Sequence, residues 1–531
     1  MDLLAGFALV SVVLVGAALA AGMVDRAPLS FPIVFLGLGL LLGPGAAGVV
    51  DVGLDDAIVE IVAITTLSLV LFLDAVHLDV GALRAQWWVP ALTLGPGTVV
   101  TIGGVAGAAV LLLGWSWPLA LIAGATLAST DAVTLRDVLR DERLPTSVRR
   151  SLAVEAGTND VIVLPVLLVT IAVASGQTTG APGWLLFAAQ LLVFGPLAGA
   201  AVGGGGAWIM ARVDRRTPIR LEYQSIFGVG LVLLAYVAGE AVGGSGFLAA
   251  FAAGLAVGLG NQALCDCFLD LGQVLVEVLL LAAFVLFGAV LSGLIGQTPL
   301  LPALALAAIA LLVVRPVGVV GALTLRRTML SPAARLVIGW FGPRGLASLL
   351  LALLAVRAGI PGAETLFAVV GVVVAVSVVV HGTTVGAVAG AYDRRHGDEV
   401  SPEDRDATPI GVLGRSDDDV PRIDAAELAS LLAEDAAVVV DARAPSARRT
   451  RPTAIPDSRP ISPDELAAAA TGLPRDRVIV TWCTCTNDAT AARSAATLRD
   501  AGLDARVLAG GLDAWASGGR PVVRPADIVD P

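Results

Sequence analysis

Long apolar runs constrain the fold of this chain more than any other feature of its sequence. Across residues 1–392, stretches of about 20 apolar residues alternate with short charged or turn-forming segments. A helix of that length spans the hydrocarbon layer of a bilayer. The hydrophobic content of 56% and the mean hydropathy of +0.85 exceed the values of soluble proteins. We therefore predict a membrane domain built from spanning helices.

The apolar runs predict about thirteen spanning helices. The first run lacks the basic segment of a secretory signal peptide and is assigned as a span. Arginines follow the odd-numbered spans, as at Arg26, Arg84 and Arg394, whereas Arg357 is almost alone after an even-numbered span. Because arginine-rich loops stay in the cytoplasm, we expect a multi-pass plasma-membrane protein with its N-terminus outside and its C-terminal domain in the cytoplasm. The predicted centres lie near residues 13, 38, 65, 102, 128, 163, 197, 229, 251, 284, 311, 346 and 376.

Charged side chains inside the predicted spans are the main candidates for function, because an unpaired charge at mid-membrane is costly. For Asp74 and Arg315, a structural role in polar contacts between helices explains the charge as well as a role in transport does. Glu155 and Asn159 lie four residues apart and share one helix face, and Asp160 is turned about 100° further round. The full charged set is Asp74, Asp131, Glu155, Asp160, Arg315 and Arg344.

Two distant spans carry sequences that interrupt a helix. The segment "ASTDA" at 128–132 contains hydroxyl and carboxylate side chains that compete for backbone hydrogen bonds. The segment "GPRG" at 342–345 places a proline between two glycines. Broken helices are tolerated in membranes where they line a cavity, and transporters build ion sites from them. We therefore predict a pair of repeat-related broken helices.

Three motifs in this order and spacing resemble the monovalent cation:proton antiporters, in the sodium/proton exchanger branch that carries an Asn-Asp motif. They are "STDAV" at 129–133, "EAGTND" at 155–160 and "GWFGPRGLASL" at 339–349. The resemblance covers residues 1–392. It implies an all-α polytopic fold with inverted repeats, which consists of a dimerisation part and a six-helix core containing two crossed broken helices. It also implies a homodimer embedded in membrane lipid.

The resemblance implies an ion site around one carboxylate. Asp160 would bind either the monovalent cation or the proton, and Asn159 stands where electrogenic relatives carry a second aspartate. Thr130 would supply an unwound backbone carbonyl, with Asp131 beside it. Asp74 falls where some members carry an acidic ligand on the third span.

A structural ion pair and one departure from the family pattern complete the implied site. Glu155 and Arg344 match a pair that braces the core helices. Many members carry a serine directly after this glutamate, but the position here is Ala156. The hydroxyl ligand is therefore missing, and either Thr158 or a water molecule would replace it.

These residues predict a secondary active transporter that exchanges a cation, with sodium as the expected ion, for H⁺. Because a single carboxylate must be neutralised before it moves, the predicted exchange is one-for-one and electroneutral. A cation channel and a membrane-tethered sulfurtransferase are the alternatives. Intramembrane carboxylates argue against a simple anchor, and a braced, proton-competent Asp160 favours a coupled carrier over a channel. The net charge of −11 gives no indication of nucleic-acid binding.

The C-terminal part of the chain reads as a soluble domain. Residues 393–422 are charged and contain Pro and Gly, as in a linker. Short strand-like runs follow at 437–443, 478–483 and 505–511, and helical patterns separate them. This alternation predicts a small α/β domain with a parallel sheet, over residues 423–525.

That soluble part resembles the rhodanese domain. Asp441 and Arg443 match its Asp-x-Arg strand end, and "LAGGLDAWASGGRPV" at 508–522 is close to its C-terminal signature. In that family a cysteine loop leads into a helix N-terminus, which stabilises a thiolate or persulfide. Counting back from the helix selects Cys485, which we favour, whereas counting forward from the strand selects Cys483. The loop lacks the usual glycine and closing arginine, so sulfur transfer and a binding or redox-sensing role both stay open.

The remaining cysteines and the histidines give no strong metal signal. Cys265 and Cys267 form a second Cys-x-Cys pair in a predicted cytoplasmic loop. A zinc site shared with the tail cysteines is one interpretation, and free cysteines in protein or lipid are the one we favour. The three histidines are scattered along the chain. We therefore predict no resident metal and no cofactor.

Overall fold

Apolar helices joined by short loops form the larger part of the molecule. The computed structural model describes residues 15, 31–78, 88–141, 143–176, 180–217, 219–260, 262–325, 330–396, 420–443, 447–448, 451–462, 465–484 and 488–524. The first predicted span, near residue 13, lies outside the described residues. Residues 397–419, which make up most of the predicted linker, also lie outside the described residues.

The described residues contain eight helices long and apolar enough to cross a membrane, together with four shorter apolar helices. Each predicted span centre from residue 38 onward falls on one of these helices or at a break between two half-helices. The membrane helices are α1 Phe31–Leu42, α2 Ala57–His77, α3 Trp88–Leu113, α4 Trp117–Thr126, α5 Ala132–Leu139, α6 Thr146–Ser175, α7 Gly180–Asp214, α8 Leu221–Ala241, α9 Gly246–Gly260, α10 Gln262–Leu294, α11 Leu300–Thr324, α12 Pro332–Trp340, α13 Leu346–Arg357 and α14 Ala363–His396.

Both predicted breaks are present, and they touch. The chain is extended or irregular between α4 and α5, where the Asp131 carboxylate caps α5 by accepting from Thr134 N at 3.2 Å. It is also non-helical between α12 and α13, around Pro343. Asp131 N donates to Pro343 O at 2.9 Å, so the two breaks meet at a crossing point. The prediction of two crossed broken helices is confirmed.

An internal repeat organises these helices. The sets α3–α6 and α11–α14 share one pattern, in which a helix with a π-helical turn is followed by a broken helix and then a long helix. The π turn Thr93–Gly97 of the first set contains Pro96, and the π turn Ala310–Val314 of the second set ends two residues before Pro316. Proline lacks the N–H donor of a regular turn. Each set makes three crossings and the four helices α7–α10 lie between them, so α11 is the seventh crossing after α3 and corresponding helices of the two sets traverse the membrane in opposite directions. We call these two sets the core helices.

The other membrane helices, α1, α2 and α7–α10, are called the scaffold helices. Small residues let them pack closely, as is usual where lipid removes the hydrophobic driving force between helices. A Cβ added at Gly199 or Gly203 of α7 would collide with the backbone of Ala249 or Ala253 on α9. Gly288 of α10 contacts α1 in the same close manner. The predicted loop around Cys265 and Cys267 is instead the start of α10, and these two side chains lie outside the described residues.

The tail forms the predicted small α/β domain, with five parallel strands in the order β1-β5-β4-β2-β3. Apolar side chains pack on both faces of this sheet. Arg443 makes a bidentate bond to Asp441, at 2.8 and 2.6 Å, and stacks on Trp482 at 4.4 Å. The elements are β1 Arg422–Ile423, α15 Ala425–Ala433, β2 Ala437–Asp441, β3 Arg459–Pro460, α16 Leu466–Ala469, β4 Val478–Trp482, α17 Ala489–Asp500, β5 Ala505–Leu508 and α18 Gly511–Ser517.

Candidate ion-binding site

Asp160 lies on α6 and faces the crossing of the two broken helices. Its side chain is 6% exposed, and Oδ1 accepts a hydrogen bond of 2.5 Å from Ser129 Oγ. Ser129 belongs to the break between α4 and α5, where the chain leaves the helical path. The carboxylate is therefore inside the protein and not against lipid. Ser129 was not among the predicted ligands, although it directly precedes Thr130 in the interrupted segment.

Asp131 occupies the junction between the two breaks. Its Oδ2 accepts from Thr134 N at 3.2 Å and from Thr134 Oγ1 at 2.5 Å. A Cβ added at Gly345 would collide with the same carboxylate, which therefore lies beside the N-terminus of α13 as well. Helix N-termini are partially positive. Asp131 thus compensates two half-helix N-termini, in addition to any contact with an ion.

Two buried arginines donate hydrogen bonds at the partially negative C-terminal ends of the half-helices α4 and α12. Arg344 Nη1 donates to Ser129 O at 2.8 Å, just beyond the C-terminus of α4. Arg315 Nη2 donates to Phe341 O at 2.8 Å, at the C-terminus of α12. Cations are stabilising at such ends, because the last carbonyls of a helix are unpaired. The crossing therefore carries matched charges at each of its four helix ends.

The ion pair of Glu155 differs from the prediction. Glu155 Oε1 pairs with Arg315 Nη1 at 2.8 Å, and both side chains are 3% exposed. Arg344, the predicted partner, lies close enough to feel the charge of Glu155 but gives its hydrogen bond to the Ser129 carbonyl. The π turn Ala310–Val314 directly precedes Arg315 and rotates it relative to a regular helix. The pairing of Glu155 with Arg344 was what the family resemblance implied, and the residues alone identified no partner for Glu155.

Two buried oxygen atoms, on the residues next to Ser129 and Asp160 in the sequence, have no hydrogen-bond partner within the part of the chain that the structure describes. They are Thr130 Oγ1 and Asn159 Oδ1. Buried polar atoms are almost always satisfied, so such atoms point to water or an ion. Thr158 Oγ1 donates to Val154 O at 2.5 Å on its own helix, and its oxygen keeps the lone pairs that a ligand needs.

Asp74 approaches the site from the scaffold. A Cβ added at Gly157 of α6 would lie 3.9 Å from Asp74 Cβ, one turn before Asp160. Asp74 is within electrostatic range of both Asp160 and Asp131. Three carboxylates therefore converge on the crossing from three different helices. Such a cluster is repulsive when ionised, and a cation or protons relieve that repulsion.

Ion pairs and a cavity mark the boundary between core and scaffold helices. Arg136 of α5 pairs with Glu277 of α10 at 3.4 Å. Arg357, at the end of α13, pairs with Glu60 of α2 at 3.3 Å. A cavity of about 330 Å³ opens beside the second pair and is apolar except for a few groups, among them Glu60, Arg357 and Glu240. Both pairs are partly exposed, so each contributes little to stability by itself.

The tail has a candidate site at the end of β4. Cys483 follows this strand directly, is buried and is disulfide-bonded to a partner outside the described residues. Cys485, the favoured candidate, also lies outside the described residues. Asp488 precedes α17 in the left-handed conformation, with φ of 58°, and its Oδ2 accepts from Gly510 N at 2.7 Å. Burial raises the pKa of Asp488. The loop therefore ends on a carboxyl group, and not on the arginine of the usual loop.

Comparison with known proteins finds a matching family for each of the two parts of the chain. The family described as "Sodium/hydrogen exchanger, transmembrane" matches residues 10–390, and the family "Rhodanese-like domain" matches residues 424–518. The K(+)/H(+) antiporter NhaP2 of Shewanella baltica (strain OS223) is 29% identical over 379 residues, which cover 70% of this chain and 65% of that protein. The K(+)/H(+) antiporter NhaP of Alkalimonas amylolytica is 27% identical over 362 residues, which cover 67% and 61%.

The fold has a counterpart of known structure. The sodium proton antiporter MjNhaP1 from Methanocaldococcus jannaschii, solved at pH 8, superposes with a TM-score of 0.62 at 21% identity. The match covers 73% of this chain and 99% of that one, and it shows a shared fold. The chain spans less than two thirds of the length of the curated relatives named above. From its match over most of its length, the chain belongs to the sodium/hydrogen exchanger family and carries a C-terminal rhodanese-like domain.

Proposed function

We propose that this protein exchanges a monovalent cation for H⁺ across the plasma membrane, and that Asp160 is the shared binding group. The observation that carries this proposal is the position of Asp160. It is buried at the crossing and bonded to Ser129 Oγ, and the residues next to this pair in the sequence, Thr130 and Asn159, carry buried oxygens with no hydrogen-bond partner among the described residues. A soluble enzyme tethered by an anchor has no use for such a cluster inside its membrane helices.

Competition between the two ions follows from electrostatics. A carboxylate removed from water is costly unless its charge is compensated. A bound cation compensates the ionised form of Asp160, and a bound proton removes the charge altogether. The two are mutually exclusive, because protonation takes away the negative oxygen that a hard cation needs as a ligand. Each passage of the site across the membrane then carries one cation or one proton.

One-for-one, electroneutral exchange is the expected stoichiometry. Asn159 adds an amide beside Asp160 and contributes no second titrating charge. Asp131 is held as a helix cap by Thr134. Asp74 lies on the scaffold and does not move with the core. An Asn159→Asp variant would add a second charge next to Asp160, and we expect its exchange to become sensitive to an imposed membrane potential while the wild type is insensitive.

Alternating access is proposed to occur by movement of the core helices against the scaffold helices. Asp160 belongs to the moving part, and Asp74 belongs to the static part. The Arg136–Glu277 and Arg357–Glu60 pairs each join one part to the other. By the distribution of arginines, the first pair lies toward the cytoplasm and the second toward the outside. The scaffold helices would also form the homodimer interface, and lipid would surround the assembly.

Sodium is the proposed cation, and potassium is the second candidate because the relatives named above are K(+)/H(+) antiporters. A cation panel in everted membrane vesicles separates the two. We expect the wild type to dissipate a preformed pH gradient on addition of Na⁺ and Asp160→Asn to be inactive. Asp51→Asn is the matched control, because Asp51 lies in an exposed loop. Exchange by Asp160→Asn at the wild-type rate would refute the proposal, and proton flux without any counter-cation would indicate a channel.

The tail is proposed to be a cytoplasmic regulatory or sulfur-handling domain. The disulfide at Cys483 and the carboxylate at Asp488 favour redox-linked regulation over ordinary thiosulfate chemistry. Cys483→Ser and Cys485→Ser in the full chain separate the roles. Regulation predicts that a thiol reductant changes the exchange rate of the wild type but not of Cys483→Ser. Thiosulfate sulfurtransferase turnover that is lost in either variant would instead support sulfur handling.

A further inference from the structure

Helix α14 forms hydrogen bonds to both sides of the break between α12 and α13, at Trp340 and at Arg344. Ser377 Oγ accepts from Arg344 N at 2.7 Å. His381 Nε2 lies 3.1 Å from Trp340 O, and Thr384 Oγ1 accepts from Trp340 Nε1 at 3.3 Å. The three α14 residues are spaced by four and three positions, so they lie on one face of the helix. We call Ser377, His381 and Thr384 the α14 ladder.

The ladder replaces hydrogen bonds that the break removes. Trp340 ends α12 and Arg344 lies in the interruption before α13, so the carbonyl of one and the N–H of the other have no regular helical partner. Leaving such groups unsatisfied inside a membrane costs several kcal/mol each. His381 Nε2 faces Trp340 O, and Nδ1 faces both the carbonyl of Ser377 at 2.9 Å and its Oγ at 3.2 Å. The tautomer with its hydrogen on Nε2 satisfies the Trp340 carbonyl and lets Nδ1 accept from Ser377 Oγ. Ser377 is fully buried and His381 is 3% exposed, so water does not compete.

A continuous chain of contacts connects the ladder with Asp160. Ser377 holds the backbone N–H of Arg344, and Arg344 Nη1 donates to Ser129 O at 2.8 Å. Ser129 Oγ then donates to Asp160 Oδ1. The backbone of Arg344 thus sets where its guanidinium reaches, and the guanidinium sets where Ser129 lies.

We infer that the α14 ladder positions the cation site, so that Ser377 and His381 are positioning residues for exchange. This inference rests on the proposed antiport function. Loosening the ladder lets Ser129 move away from the carboxylate while leaving Asp160 itself intact. The apparent KM for the cation should therefore rise more than the maximal rate falls. Loss of one hydrogen bond corresponds to about a 5-fold change in affinity.

The experiment measures cation-dependent exchange in proteoliposomes reconstituted with the full chain, over a range of Na⁺ and K⁺ concentrations. The variants are Ser377→Ala, Ser377→Thr, His381→Leu and His381→Gln. The control is Thr383→Val, because Thr383 is exposed on the same helix and bonds to carbonyls of that helix only. Thermal unfolding in detergent is recorded for each variant.

We expect Ser377→Ala and His381→Leu to raise the apparent KM about 5-fold. Ser377→Thr keeps a hydroxyl and His381→Gln keeps a donor, so both should stay within about twofold of wild type, as should Thr383→Val. The inference is overturned if Ser377→Ala and His381→Leu lower only the unfolding temperature and leave KM unchanged. If Ser377→Ala does not fold, the His381 pair decides. Failure of the antiport proposal looks different, because Asp160→Asn would then exchange like the wild type.

Discussion

Ser129 Oγ donates a hydrogen bond of 2.5 Å to Asp160 Oδ1, and the carbonyl of the same residue accepts from Arg344 Nη1 at 2.8 Å. One residue of a broken helix therefore links the acidic group on α6 with the basic group in the second break. We propose that the Ser129 hydroxyl, which comes from a different helix, takes the place of the hydroxyl ligand that is missing at Ala156.

Replacement of Ser129 by Ala should weaken cation binding without unfolding the protein. A hydrogen bond to a charged group contributes about 1.5–3 kcal/mol, so the apparent KM should rise by about 10-fold or more. Ser129→Thr retains the hydroxyl and should recover most of the affinity. Concentration-dependent exchange in proteoliposomes measures both values. An unchanged KM in Ser129→Ala would show that this hydroxyl does not act on the bound ion.

The partner of Glu155 can be identified by a double-mutant cycle. Removing one member of a buried pair costs about 3–5 kcal/mol, whereas removing both is often tolerated. We expect Arg315→Met to destabilise the protein strongly and Glu155→Leu combined with Arg315→Met to recover much of that loss. Glu155→Leu combined with Arg344→Met should show no comparable recovery. Thermal unfolding in detergent measures the coupling, and coupling to Arg344 alone would contradict the structure.

Gly345 should tolerate no side chain. A Cβ at this position would occupy the space of the Asp131 carboxylate, at the point where the two breaks meet. We expect Gly345→Ala to abolish exchange or folding. Gly103→Ala is the matched control, because a Cβ at Gly103 meets no atom within 4 Å. Equal exchange rates for the two variants would mean that the breaks are further apart than described.

The sequence predicted the two helix breaks more fully than the contacts around them. Composition and helix-breaking residues were enough to predict the breaks, because apolar runs and prolines act locally, whereas the choice of Asp160 as the ion-binding group came from the family resemblance. The Glu155–Arg315 pair was missed, because the pairing of Glu155 with Arg344 was taken from the family resemblance, and the contact with Arg315 depends on how α6 and α11 pack. The role of Ser129 was also missed, because it depends on how α6 crosses the break.

The scattered positions of the three histidines gave no indication of a structural role for His381. His381 instead bonds the end of α12 through a contact 41 residues away along the chain. The spacing of Ser377, His381 and Thr384 places them on one face of a helix. It does not show which other helix that face contacts. In the tail, the strand pattern at 478–482 predicted that Cys483 directly follows β4, but nothing in the sequence predicted its disulfide.

The Arg357–Glu60 pair should influence the rate of exchange more than the affinity. It joins the end of α13 to the start of α2, so it must change when core and scaffold move against each other. We expect Glu60→Arg to lower the maximal rate through repulsion, and Glu60→Arg combined with Arg357→Glu to restore most of it. The maximal exchange rate at saturating cation is the measurement. Additive losses in the double variant would exclude a direct interaction.

Proton release on cation binding tests the central claim most directly. Purified protein in a weakly buffered solution, at a pH where Asp160 is protonated, is mixed with Na⁺ or K⁺ while a pH-sensitive dye is followed. We predict release of one proton per bound cation by the wild type and none by Asp160→Asn, with Asp51→Asn behaving like the wild type. Release of the same amount by Asp160→Asn, or cation binding to the wild type without any proton release, would contradict a site shared by the two ions.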